Sequence, residues 1–147
     1  AKVWSRGVDF QVKGDGQIRP NQSITYTLNA AFVKSTNQVE IPIPLTAKGS
    51  QLLYTPTFTA GAMVDYQFGK FQFGLFPNYV GSSKGINEDI KAYGLLDASL
   101  SYHTKVSRMA FDISFQCRNL LNKGYYVVER RAMPGRNFGV DLVIGWE

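Results

Sequence analysis

Apolar residues recur at every second position through most of this chain, and no other feature of the sequence restricts its fold as strongly. Met109, Phe111, Ile113, Phe115 and Cys117 are apolar, while Ala110, Asp112, Ser114, Gln116 and Arg118 between them are small or polar. The closing run repeats the pattern, with Phe138, Val140, Leu142, Ile144 and Trp146 in one phase. Gly139, Asp141, Gly145 and Glu147 take the other, and only Val143 is out of place. A period of two belongs to a strand with two unlike faces. Between these runs lie Asn119-Leu120-Leu121-Asn122-Lys123-Gly124-Tyr125-Tyr126 and Pro134-Gly135-Arg136-Asn137-Phe138, too rich in turn residues to continue either strand.

The same alternation appears five more times. Trp4, Val8, Phe10 and Val12 form one apolar set, with Arg6 the exception in its phase, and Gly14-Asp15-Gly16 predicts a turn that extends through Pro20-Asn21. Ile24, Tyr26, Leu28, Ala30 and Phe32 form the second set. From Ser35 to Pro56 the period disappears, and Pro42, Pro44 and Pro56 argue for a long loop. Phe58, Ala60, Ala62, Val64, Tyr66 and Phe68 form the third set, with Met63 intruding on the other face. Gly69-Lys70 turns it into Phe71, Phe73, Leu75 and Tyr79, where Pro77 is expected to weaken the upper end. Residues 81–91 read as loop. Leu96, Ala98, Leu100 and Tyr102 form the fifth set, and Thr104 to Ser107 a short turn into the Met109 strand.

Seven strands result, with no helix, and their connections alternate short and long. An antiparallel up-and-down meander would then carry its tight turns at one end and its long loops at the other, the asymmetry of a transmembrane β-barrel. A run of about 11 residues, tilted by about 45°, spans about 25 Å along the membrane normal, the height of an outer-membrane apolar band. Aromatics on the apolar face crowd the strand ends. Phe68, Phe71, Tyr102 and Trp146 lie near the short turns, and Trp4, Phe32, Phe58, Tyr79 and Phe138 near the long loops, as two interfacial girdles would require. The opposite face, rich in Ser, Thr, Gly, Asp, Gln and Asn, suits a hydrated lumen. An odd strand count cannot close a bacterial barrel, and unpaired backbone in lipid costs several kcal/mol per group, so the reading predicts part of a larger barrel.

Composition narrows the function classes. Only 18% of residues are charged, and no run approaches the roughly 18 apolar residues of a spanning helix. The N-terminus has no secretory-signal profile, which predicts a mature, processed or partial chain. One cysteine rules out an internal disulfide and a multi-cysteine metal cluster, and one histidine a histidine ligand set. The net charge of +5 is spread along the chain apart from Arg130, Arg131 and Arg136, a distribution that does not favour nucleic acid.

Three short segments carry a family resemblance. Ser5-Arg6-Gly7-Val8-Asp9 resembles the Ser-Arg-Gly-Val-Glu stretch of TonB-dependent outer-membrane receptors, with Asp in place of Glu. Asn119-Leu120-Leu121-Asn122 followed by Tyr125-Tyr126 is similar to the family's Asn-Leu-Phe-Asp/Asn-x-x-Tyr-Tyr segment. Pro134-Gly135-Arg136 resembles the Pro-Gly-Arg that opens its last strand. Order and spacing agree over essentially the whole chain. One departure is that Trp146 is followed by Glu147, whereas outer-membrane barrels usually end on an aromatic residue. The resemblance implies an all-β chain forming about the last seven strands of a barrel of about 22, its plug domain lying outside this sequence. It further implies import of a scarce nutrient (ferric siderophore, haem, cobalamin, oligosaccharide or peptide) across the bacterial outer membrane. The implied partners are the rest of the barrel and plug, the TonB energy-coupling complex, outer-membrane lipid or lipopolysaccharide, the nutrient itself and a surface lipoprotein. No cofactor or resident metal is implied. Arg6, Gly7, Asn119, Asn122, Pro134, Gly135 and Arg136 would be structural motif positions.

Tyr125, Tyr126, Arg130 and Arg131 are the candidate ligand-binding residues, since guanidinium groups grip anions and phenols stack or hydrogen-bond. The plainer alternative is that Arg136 and Asn137 fix the loop to the strand while the other arginines are solvated or meet lipopolysaccharide. His103, on the polar face beside a short turn, could ligate haem but reads better as a hydrogen-bonded lumenal residue. Cys117 reads as a small lipid-facing apolar residue. Asp97, Ser99, Asp112 and Ser114 have no histidine expected at their level, so no catalytic residue is assigned and no enzyme is expected. Two other readings stay open: a complete eight-stranded adhesin or structural barrel with one more strand in Gln38 to Leu53, and a soluble sandwich or lipid-carrier barrel.

Overall fold

The structure is a computed structural model that describes residues 2–39, 41–42 and 45–146, with backbone alone for 41, 42, 45 and 46. Pro44 and Glu147 lie outside the described residues. Among those described, every regular element is a strand. Seven long strands, β1 (Val3–Arg19), β2 (Gln22–Asn37), β5 (Phe58–Phe68), β6 (Phe71–Val80), β7 (Tyr93–Val106), β8 (Met109–Arg118) and β11 (Asn137–Trp146), form one antiparallel sheet in chain order. Two small hairpins stand apart from it. The first pairs β3 (Ile41–Pro42) with β4 (Leu45–Thr46), the second β9 (Tyr126–Val128) with β10 (Arg131–Ala132). The sheet is open, with β1 and β11 at its edges.

Register carries the period of two from strand to strand. Phe10 faces Ala30, which faces Ala60, and Leu75 faces Ala98, which faces Cys117, which faces Phe138. All seven apolar sets therefore share one side. That side is exposed: Val8, Phe10, Phe32, Phe138 and Val140 each keep more than three-fifths of their surface open. Along β6 the apolar positions Phe71, Phe73, Leu75 and Tyr79 are exposed, while Gln72, Gly74 and Phe76 between them are half-buried or buried. On β6 the polar phase is thus the more sheltered, whereas in β11 both phases are exposed. Ile90 and Cys117 are the buried apolar residues among those described, and no large side chain is fully buried. A sandwich core needs two apolar faces packed together; among the described residues no second layer packs on the sheet, and its apolar face is left exposed.

Aromatic rings meet at both ends of the sheet. Phe32 and Phe58 have ring centroids 4.5 Å apart, and Phe58 continues to Tyr79 at 5.9 Å, so a row of rings crosses β2, β5 and β6 beside the long loops. At the other end Phe71 meets Tyr102 at 5.0 Å.

Several expectations need correction. Gly14-Asp15-Gly16 is not a turn: β1 runs through it to Arg19, and the reversal lies at Pro20-Asn21, where Asn21 takes a φ of 65°. The glycine serves packing instead, because a Cβ on Gly14 would strike the ring of Tyr26 opposite it. Pro77 does not weaken the top of β6, which pairs with β7 through Val80. Its missing N–H is accommodated by a gap in the ladder to β5 between Gly61–Asn78 and Val64–Leu75. The loop expected from Ser35 begins only after Asn37, and β3 and β4 lie within it; no strand of the main sheet comes from 38–53 among the described residues. The turn expected over 104–107 is Ser107-Arg108, with Ser107 at a φ of 56°.

Candidate functional site

The connections 38–57, 81–92 and 119–136 all leave the sheet at the same end, and the last two enclose a cleft of about 490 Å³. Its position depends on how the last loop is held. Asn119 is 4% exposed and, like Asn122, takes a left-handed φ of 51°, a conformation Asn tolerates better than most residues. Its Oδ1 accepts from the Lys123 N–H at 2.8 Å, and its Nδ2 donates to the carbonyls of Lys123 at 2.9 Å and Pro134 at 3.3 Å. Its own N–H donates to Asp97 Oδ1 at 2.7 Å. Asn122 Oδ1 accepts from the Arg136 N–H at 2.9 Å, and Gly135 leaves the room for that approach, since a Cβ there would lie 2.7 Å from the same oxygen. Asn137 Nδ2 closes the turn on the Gly135 carbonyl at 3.1 Å. The two motifs thus form one clasp joining the start of the loop to the entry of β11.

A second connection runs between loops. Glu129 Oε1 accepts from the N–H groups of Asn87 and Glu88 at 2.7 and 2.9 Å, and Oε2 from Asn87 Nδ2 at 2.9 Å. The Glu88 amide, foremost among these donors, holds the Glu129 carboxyl below its ordinary range. The receiving loop has its own braces: Ser83 and Ile90 exchange backbone hydrogen bonds, and Lys84 pairs with Asp89 at 2.7 Å.

The cleft between these loops is lined by Tyr125, Tyr126 and Arg130, with Tyr93, Lys91 and Lys123 beside them. Tyr93 and Tyr125 lie with centroids 4.7 Å apart and rings inclined at 38°. Three of the four candidate ligand residues are therefore brought together; Arg131 lies in β10 and does not line the cleft. Sequence reasoning missed Glu129, Asn87 and Tyr93. The first two carry no local signal, because their partnership spans 42 residues, while Tyr93 precedes the run assigned to the fifth strand. Chemically the cleft offers phenolic faces and three cations, Lys91, Lys123 and Arg130, matched in number by the carboxylates of Glu88, Asp89 and Glu129, which suits a polar ligand with flat groups.

Near the short turns His103 stands directly opposite Asp112, with Nδ1 2.6 Å from Oδ1. This corrects the expectation that no histidine shares the level of the acidic residues. On the next rung Ser101 and Ser114 hydrogen-bond to each other at 2.8 Å. Cys117 is on the apolar face as expected but is 5% exposed, so it is covered rather than open to lipid. Among the described residues no group of three or more metal-ligating side chains forms.

The family model described as "TonB dependent receptor-like, beta-barrel" matches residues 1–120. The chain belongs to the TonB-dependent receptor family. That membership puts this chain in the bacterial outer membrane, in transport, within a family that works with a plug domain and TonB. The match takes in Ser5 to Asp9 and stops at Leu120, so most of the receptor's Asn-Leu-Leu-Asn and Pro-Gly-Arg clasp lies beyond it. A comparison with curated proteins gave no match.

Proposed function

We propose that these seven strands are part of the multi-pass barrel of an active importer that captures a scarce nutrient at its loop end and passes it inward through a plugged lumen. The carrying observation is the two-faced sheet, with Phe10, Phe32, Leu75, Phe115 and Val140 exposed together on one face and the polar residues of the alternate phase on the other. Family membership supports the same reading. Further strands complete the sheet from the free edges of β1 and β11, and the lumen holds a plug that answers to TonB. The nutrient is a ferric siderophore, haem, cobalamin, or an oligosaccharide or peptide, met first by Tyr125, Tyr126 and Arg130. A surface lipoprotein is a further partner. The segment performs no chemical reaction.

The test is uptake by cells with and without the receptor, over that panel of nutrients and with TonB intact or deleted. Loss of high-affinity uptake of one nutrient in both deletions is the expected result. Uptake that is unchanged by either deletion for every nutrient would overturn the reading.

A further inference from the structure

On the loop-side half of the apolar face two charges stand out. Arg6 and Lys34 are the only charged residues there among the described residues of the seven long strands, and they are direct cross-strand partners in the β1–β2 ladder. Two cations placed opposite each other repel, and next to a face meant for hydrocarbon such charges call for an anionic partner. Among the described residues no carboxylate pairs with either. The Arg6 guanidinium lies 4.9 Å from the centre of the Trp4 ring, which orients it without neutralising it. Both are exposed, and they sit one alternate position beyond Val8 and Phe32, at the level where an aromatic rim meets headgroups. With Trp4, Thr36, Gln38 and Gly49 they border a cleft of about 280 Å³. Gln38 Nε2 donates to Thr36 Oγ1 at 3.1 Å, so polar groups close its upper side.

We propose that Arg6 and Lys34, beside Trp4, hold the phosphate of a phosphorylated lipid headgroup in the leaflet next to the long loops. A phosphate offers several oxygens to a forked guanidinium and to an ammonium at once, so one anion removes the repulsion between the two cations. Trp4 supplies an interfacial surface for the sugar or glycerol of the headgroup, and Val8 and Phe32 below it meet the acyl chains. The assignment rests on the outward orientation of the apolar face, and it adds a lipid site remote in sequence from the cleft at Tyr125.

The intact receptor, purified in mild detergent, would be exchanged into nanodiscs with diphosphorylated lipid A or its dephosphorylated counterpart, and the retained glycolipid measured by native mass spectrometry. The wild type should keep the phosphorylated form preferentially. Arg6→Gln and Lys34→Gln should each lower that retention about fivefold and their combination about twenty-five-fold. Lys34→Arg should retain it, which separates loss of charge from loss of fold. Undiminished retention by the double variant, or equal retention of both lipids by the wild type, overturns the site while leaving the membrane orientation intact. Inorganic phosphate displacing the lipid at equal concentration would make this a free-anion site and overturn the lipid assignment. A receptor that stays dissolved without detergent and keeps no lipid would overturn the orientation as well.

Discussion

Asn119 and Lys123 exchange two hydrogen bonds, the Lys123 N–H donating to Asn119 Oδ1 at 2.8 Å and Asn119 Nδ2 donating to the Lys123 carbonyl at 2.9 Å. Because the same side chain also reaches Pro134, replacing it frees both ends of the last loop. Asn119→Ala removes three hydrogen bonds at a buried position with positive φ, and should cost about 2–4 kcal/mol at roughly 1 kcal/mol for each bond plus backbone strain. Denaturant unfolding of the receptor in micelles measures this. Asn119→Asp, which keeps the accepting oxygen, should lose less.

Adjacent residues on β8 test which face meets lipid. Ile113 is exposed on the apolar side, and Ser114 is bonded to Ser101 on the other. Ile113→Arg should destabilise by about 2–4 kcal/mol. Ser114→Arg should cost about 1 kcal/mol, the loss of one hydrogen bond. Equal losses in the same unfolding experiment would contradict the assignment.

Gly14 and Gly139 make a second contrast. A side chain on Gly14 collides with the Tyr26 ring, whereas nothing lies within 4 Å of a Cβ on Gly139. Gly14→Ala should destabilise by about 1–3 kcal/mol through overpacking, and Gly139→Ala should be close to neutral. In a Tyr26→Leu background the Gly14→Ala cost should shrink, and the double-mutant cycle reads the coupling directly.

Acid should release the Glu129 connection between loops. Its carboxyl is held below the ordinary value, so the bonds to Asn87 and Glu88 add stability above the unfolded value of 4.5. That contribution falls away as the pH drops from 4.5 through the lower folded value. The carboxyl carbon shift of Glu129, followed by NMR, should titrate below 4.5. Glu129→Gln should abolish the pH dependence and leave the Asn87 and Glu88 amides exchanging faster at neutral pH.

The main sheet was legible from sequence because the period of two is a local signal repeated in every strand. Each of the seven runs corresponds to one strand, from the Trp4 run in β1 to the Phe138 run in β11. Boundaries were less legible where a residue's usual meaning gave way to packing. Gly14 and Gly16 read as a turn by composition, yet Gly14 is needed for the Tyr26 ring. Pro77 reads as a strand breaker, yet the ladder opens on its β5 side only. At the loop end, Tyr125, Tyr126 and Arg130 were visible as residue types suited to a ligand. The clasp of Asn119 on Pro134 and the reach of Glu129 to Asn87 were not, because they join positions 15 and 42 residues apart. The His103–Asp112 contact was missed for a different reason: it depends on register between two strands, which periodicity alone does not set.

Along the outer rims of β1 and β11, amide and carbonyl groups point away from the sheet with no strand of the described residues beside them. In buffer such a rim recruits extended peptide, and in a bilayer it is intolerable. A polypeptide of these seven strands alone is therefore adhesive in water and unwelcome in hydrocarbon. Within the proposed barrel both rims would be zipped to neighbours, which would make assembly of the whole wall a single event rather than the sum of independently stable panels.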